Sequence, residues 1–172
     1  MRTLFLLGCL ALVGCGSFRP QSDYQVVIDP TFTPEQLDAI TAGLQVWQTK
    51  FAGKGLNLSV SIAPCSDAEA QTCLVPNHDT DTSGTFLLGY THCNVGGGSY
   101  IQLYVDRYPT VVAQVGGGET LHHVLERTAT HELGHALMGP EHLAAGNLMS
   151  AVYTDQKDNP TPTDMAHFWG VR

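Results

Sequence analysis

The sequence predicts an α/β fold of the α+β kind, a small sandwich of helices on a mixed, twisted sheet. Two observations predict it. Short segments with strand character recur between residues 24 and 105, and two longer segments near the helical period lie around and after them. The resulting order is strand, helix, strands, helix, helix, with no internal repeat and no low-complexity block. That order suits one domain over residues 23–172.

Tyr24 to Ile28 reads as a strand that ends at Asp29-Pro30. Thr33 then offers an N-cap and Pro34 a first helical position, where its missing N–H costs nothing. Leu37, Ile40, Leu44, Trp47 and Phe51 recur at helical spacing, and Gly53 and Gly55 end the helix. Leu56 to Ile62 alternates apolar and polar residues, the mark of a half-buried strand. Pro64 to Gly84 reads as a long polar loop, Thr85 to Tyr90 as a third strand, and Tyr100 to Val105 as another alternating one. The second long helix covers Thr120 to Leu137, with Val124, Leu125, Ala129, Leu133, Ala136 and Leu137 as its apolar stripe. Gly116-Gly117-Gly118 precedes it as a flexible connector without the phosphate-binding fingerprint, and Gly139-Pro140 stops it. An irregular stretch holding Met149 follows, and a last helix runs from about Thr163 to Trp169.

The amino terminus reads as a lipoprotein signal peptide over residues 1–15. Arg2 is positive, Leu4 to Val13 is apolar but too short to span a bilayer, and Leu12-Val13-Gly14-Cys15 resembles a bacterial lipobox. That resemblance implies cleavage before Cys15 and lipid on its sulfur. Residues 16–22 then form a tether reaching at most about 25 Å. Gly16, in place of a retention aspartate, points to export and anchoring at the outer membrane. The net charge of −8 argues against nucleic acid, whose phosphates need a basic face. It also argues against adhesion to anionic lipid, so the acyl chains would be the membrane attachment. Beyond the signal, Cys65, Cys73 and Cys93 remain; a Cys65–Cys73 disulfide is the first expectation, with pairing to Cys93 as the alternative.

The chemistry concentrates at His131-Glu-Leu-Gly-His135, an H-E-x-x-H inside the second long helix. Histidines four apart on a helix differ by about 40° of rotation and ~6 Å of rise, so both imidazoles reach one metal ion. Glu132 lies about 100° round from His131, outside the ligand row but near enough to touch water on the metal. His142 follows the helix, and the break at Gly139-Pro140 can swing it back as a third ligand. Three histidines leave a fourth zinc position open, as catalytic rather than structural sites do.

Several stretches together resemble the metzincin metallopeptidases, most closely the matrixin-like catalytic domains. Ala42-Gly-Leu-Gln-Val-Trp47 looks like their first helix and His131 to Leu137 like their active-site helix. Asn147-Leu-Met-Ser150 looks like their Met-turn, and Pro162 to Gly170 like their closing helix. The resemblance implies a zincin sandwich, one catalytic Zn2+, and peptide-bond hydrolysis by a zinc-bound water with Glu132 as general base. It assigns Met149 to a hydrophobic floor under the metal, and it implies that the Tyr100–Val105 strand edges the cleft. The family pattern H-E-x-x-H-x-x-G-x-x-H is not met as it stands: Met138 and Glu141 occupy its glycine and third-histidine positions, and Gly139 and His142 come one place later. His142 is therefore the expected third ligand, with Glu141 and, more distantly, Asp164 as alternatives. Tyr153 reads as structural.

His78-Asp-Thr-Asp81 with His92 offers the donors of a second, structural zinc or calcium site, but its spacing departs from the family pattern and a polar surface loop is the simpler reading. His122 and His123 read as solvated, and His167 as a surface residue of the last helix. The expected protein is a monomeric zinc endopeptidase acting on peptide or protein substrate at a membrane surface. The competing class is a non-catalytic surface lipoprotein using the same fold as a binding module.

Overall fold

A computed structural model of the chain describes residues 23–65, 72–80, 87–93 and 98–170. The expected signal segment, Cys15 and the expected tether fall outside these residues, as does Asp81. Strand β1 (Asp23–Ile28) leads through helix α1 (Pro34–Phe51) to β2 (Asn57–Ile62), followed by β3 (Thr72–Pro76), β4 (Gly89–Cys93) and β5 (Ser99–Leu103). A 3-10 turn (Val105–Arg107) joins α2 (Tyr108–Val115), and α3 (Leu121–Met138), a second 3-10 turn (Tyr153–Asp155) and α4 (Pro162–Gly170) complete the chain. Among the described residues, no helix is long and apolar enough to cross a membrane.

The strands form one five-stranded sheet in the order β2-β1-β3-β5-β4. All neighbours are parallel except β4 with β5, which pair Gly89 with Leu103 and Thr91 with Ile101. Side chains alternate across a strand, so one sheet face carries Val26, Ile28, Leu58, Leu74, Ile101 and Leu103, all in the core beneath α1 and α3. β4 is thus the edge strand beside α3. This corrects the expectation that Tyr100–Val105 edges the cleft: β5 is flanked on both sides, because β3 occupies the position its parallel neighbour needs.

Helix α1 begins as its sequence dictates. Thr33 Oγ1 accepts from the Gln36 N–H at 3.3 Å, and the Gln36 side chain accepts from the Thr33 N–H at 2.9 Å, a complete capping box. Its face of Ile40, Leu44, Trp47 and Phe51 is fully buried, each side chain contributing roughly 1.5–3 kcal/mol through removal from water. Gly43 sets how closely α1 approaches α3, since a Cβ there would lie 2.6 Å from the Glu126 carbonyl oxygen. Trp47 Nε1 donates to the Thr130 carbonyl oxygen at 2.8 Å and fixes the crossing. Helix α3 is buried on nearly every side from Thr128 to Met138, clasped between α1 and the sheet.

The polar loop expected over Pro64–Gly84 contains β3. Thr72, Cys73 and Leu74 are buried between two parallel neighbours, a setting in which a strand shows an apolar run rather than alternation. Cys65 and Cys73, the expected bridge partners, lie side by side, and Cys65, Cys73 and Cys93 stand as free cysteines in this structure. The Cys65 sulfur lies 3.8 Å from the Val27 carbonyl oxygen and 3.9 Å from that of Leu74. Burial, together with neighbouring Cys73, pushes the Cys65 thiol well above its usual range.

The stretch holding Met149 is ordered by Asp164 of α4. This fully buried carboxylate accepts from the main-chain N–H groups of Leu148 and Met149, each at 3.1 Å, and from Thr161 N and Oγ1 at 2.6 and 2.7 Å. Replacing it by alanine orphans buried donors that cost about 1–3 kcal/mol each. Asp164→Ala is therefore expected to lower unfolding stability by about 3–5 kcal/mol in a urea titration. A loss under 1 kcal/mol would show that the turn stands without this anchor.

Candidate metal centre

Helix α3 delivers His131, Glu132 and His135, and the turn behind it delivers His142. Thr120 caps the helix start, its Oγ1 accepting from the His123 N–H at 3.1 Å. At the other end Gly139 adopts φ 101° and ψ −178°, a conformation essentially confined to glycine. The one-residue departure from the family pattern is absorbed here: Met138 continues the helix, and the break falls at Gly139.

That break brings the three imidazoles together. His135 Nε2 lies 3.0 Å from His131 Nε2 and 3.2 Å from His142 Nε2. Nitrogens bound tetrahedrally at 2.0–2.1 Å from zinc would stand about 3.3 Å apart, so the spacing fits one ion of that size. The far ring nitrogens set the tautomers. His131 Nδ1 lies 2.9 Å from the Leu148 carbonyl oxygen and His135 Nδ1 3.0 Å from that of Gly139. Each Nδ1–H donates to its carbonyl, which leaves the Nε2 lone pair facing the centre, the support that metal-binding imidazoles need.

Burial keeps the rings neutral. It lowers the His131 pKa to about 4, against a smaller opposing effect from the Leu148 carbonyl. Burial, then the neighbouring His131 and His142, hold His135 well below its usual value, and burial also lowers His142. Neutral imidazoles at neutral pH are what a cation requires. Among the described residues these three form the one group of three side chains able to hold a metal ion.

Other candidates lie elsewhere. The Glu141 side chain is 73% exposed and lies 3.7 Å from His167 Nε2, while Asp164 is engaged by the main chain of the Met149 turn. Met149 is buried against α3: a Cβ at position 134, between the two helical histidines, would run into its sulfur. Tyr153 is buried, with its hydroxyl donating to Glu119 and Arg127 stacked on its ring. His78 pairs with Asp106 and Asp79 with Arg107, while Asp81, the other carboxylate of that stretch, lies outside the described residues. His122 and His123 are half-exposed and sit beside carboxylates. His167 is more enclosed than expected, with its side chain 19% exposed.

Glu132 is turned from the ligand row towards β4. Burial raises its pKa to about 7, and a hydrogen bond from Thr91 opposes the rise. The Thr91 hydroxyl lies 2.6 Å from Glu132 Oε2 and 3.0 Å from the Glu132 carbonyl oxygen. The motif gave no hint of Thr91, of Gln156, whose Nε2 donates to the Ser150 carbonyl oxygen at 2.9 Å beside the His131 ring, or of the Leu148 and Gly139 carbonyls. Carbonyl acceptors have no side-chain signature, and Thr91 meets Glu132 only through the pairing of β4 with β5.

Comparison with known proteins agrees at the level of fold. No protein-family model and no curated sequence matches the chain. Among solved structures it resembles metalloproteinase-II from Bacteroides fragilis, with a TM-score of 0.59 at 12% sequence identity. The likeness covers 97% of this chain but 57% of that one, so the chain spans little more than half its length. The protein thus has a metalloproteinase-like α/β fold with three histidines positioned to bind a metal ion.

Proposed function

We propose that the protein is a zinc-dependent endopeptidase of the metzincin, matrixin-like type. The observation that carries this reading is the convergence of three Nε2 atoms, two of them on rings whose tautomers main-chain carbonyls set, beside a buried carboxylate that is not one of them. His131, His135 and His142 would hold the ion. Bound zinc would supply Lewis acidity, making water easier to deprotonate and a carbonyl easier to attack. Glu132, whose raised pKa suits proton exchange near neutral pH, takes a proton from water at its carboxylate and returns it to the leaving amine. The edge strand β4 offers main-chain groups to an extended peptide by strand addition. Met149 and Gly134 close the apolar floor under the histidines.

The lipobox-like Leu12-Val-Gly-Cys15 supports an exported enzyme, anchored by lipid on Cys15 at the outer membrane and acting on protein substrates as a monomer. The test is a hydrolysis assay on an unfolded protein. Cleavage should stop with a chelator and return with zinc. Cleavage indifferent to the chelator would overturn the reading.

A further inference from the structure

We propose that Thr91 and Gly89, alternate residues of β4, are positioning residues for Glu132, an inference that rests on the endopeptidase reading. The strand beside the cleft would then do two things: pair with substrate and hold the base.

The geometry specifies both contacts. Thr91 Oγ1 lies 2.6 Å from Glu132 Oε2, and among the described residues no other side chain hydrogen-bonds this carboxylate. A Cβ on Gly89 would stand 2.5 Å from Glu132 Cγ, 2.7 Å from Oε1 and 2.8 Å from Cδ. The carboxylate therefore lies flat on bare backbone at position 89, with its second oxygen caught two residues along. Any larger residue at 89 would displace it. Gly89 and Thr91 point to the same face because side chains alternate on a strand.

Both contacts are rigid. The branched Cβ of threonine restricts χ1, so Oγ1 stays where the backbone places it. β5 fixes that backbone through the Gly89–Leu103 and Thr91–Ile101 register. The Leu88 carbonyl oxygen, just before β4, accepts from Tyr104 N at 3.0 Å and from the Tyr108 hydroxyl at 3.1 Å. Glutamate has three side-chain torsions to restrain, and a base held within reach of its proton loses little to misalignment.

The test uses the full chain loaded with zinc and a fluorogenic peptide as probe. Thr91→Val keeps shape and removes the hydroxyl, while Thr91→Ser keeps the hydroxyl. Thr91→Val should lower kcat by about 10–100-fold with KM and zinc content unchanged and the protein still folded at the assay temperature, and Thr91→Ser should recover most of the loss. Infrared difference spectra against Glu132→Gln isolate the Glu132 carboxyl band, which should move in Thr91→Val and stay in Thr91→Ser. An unmoved band with unchanged kcat overturns the proposal, as does a kcat loss that serine fails to rescue or that tracks lost zinc or unfolding at the assay temperature. A moved band in a parent protein that cleaves no peptide would uphold the positioning and sink the endopeptidase reading instead.

Discussion

Glu132→Gln is expected to lower kcat/KM for peptide hydrolysis by about 10²–10⁴-fold while the protein keeps its zinc. The histidine cluster does not include Glu132, so the substitution removes the base without touching the ligands. The same change should alter how stability depends on pH in the metal-free chain. Burial raises the Glu132 pKa from 4.5 to about 7. Between those values the folded state holds a proton that the unfolded state has released, so stability falls as pH rises through this window. At about 1.4 kcal/mol per pH unit the cost approaches roughly 3 kcal/mol above pH 7. Glutamine does not titrate and escapes it. Urea titrations of the two chelated proteins should therefore agree near pH 4 and diverge towards pH 7, with the variant the more stable. Full activity in Glu132→Gln would end the assignment of this residue as base, and parallel stability curves would show that the carboxylate is not buried at a cost.

His142→Ala should lose zinc. The roughly 10–16 kcal/mol of structural zinc binding, divided among four ligands, comes to about 3 kcal/mol each, so affinity should fall by at least about a hundredfold. Glu141→Ala is the matched control. Its carboxylate is exposed and faces His167, so zinc affinity should be untouched. Chelator competition on both variants decides the question, and loss of zinc in Glu141→Ala with retention in His142→Ala would reverse the assignment.

What the sequence revealed depended on whether the physics was local. Capping and periodicity act within a few residues, which is why Thr33-Pro34 placed the start of α1 and Gly139 the end of α3. Helix α2 went unassigned because Tyr-Pro-Thr-Val-Val-Ala-Gln-Val is rich in β-branched residues and lacks a side-chain cap; packing on α3 overrides that weak propensity. Strand β3 was missed because it is short and flanked on both sides, so its pattern resembles no exposed strand. The histidine motif was legible for the same reason as the helix caps: its ligands lie on one helix and the turn that follows. Its partners were not. The anchor Asp164, the cradle at Thr91 and Gly89, and the carbonyls of Leu148 and Gly139 act through contacts that only the folded chain creates.

This division bears on the order of events as the chain folds. The three imidazoles belong to one short stretch, so only a small loop must close for them to meet. The Thr91 contact spans 41 residues, the Trp47 bond to α3 spans 83, and the Tyr24 hydroxyl reaches Ala136 across 112. Such distant closures make for slow folding. A nascent chain can thus gather its metal ligands early, while competence in the proposed reaction waits for longer-range contacts such as Thr91 with Glu132. On the proposed reading, an immature copy carries the ion but has no teeth, and it is exposed to cleavage by neighbours that have already finished folding.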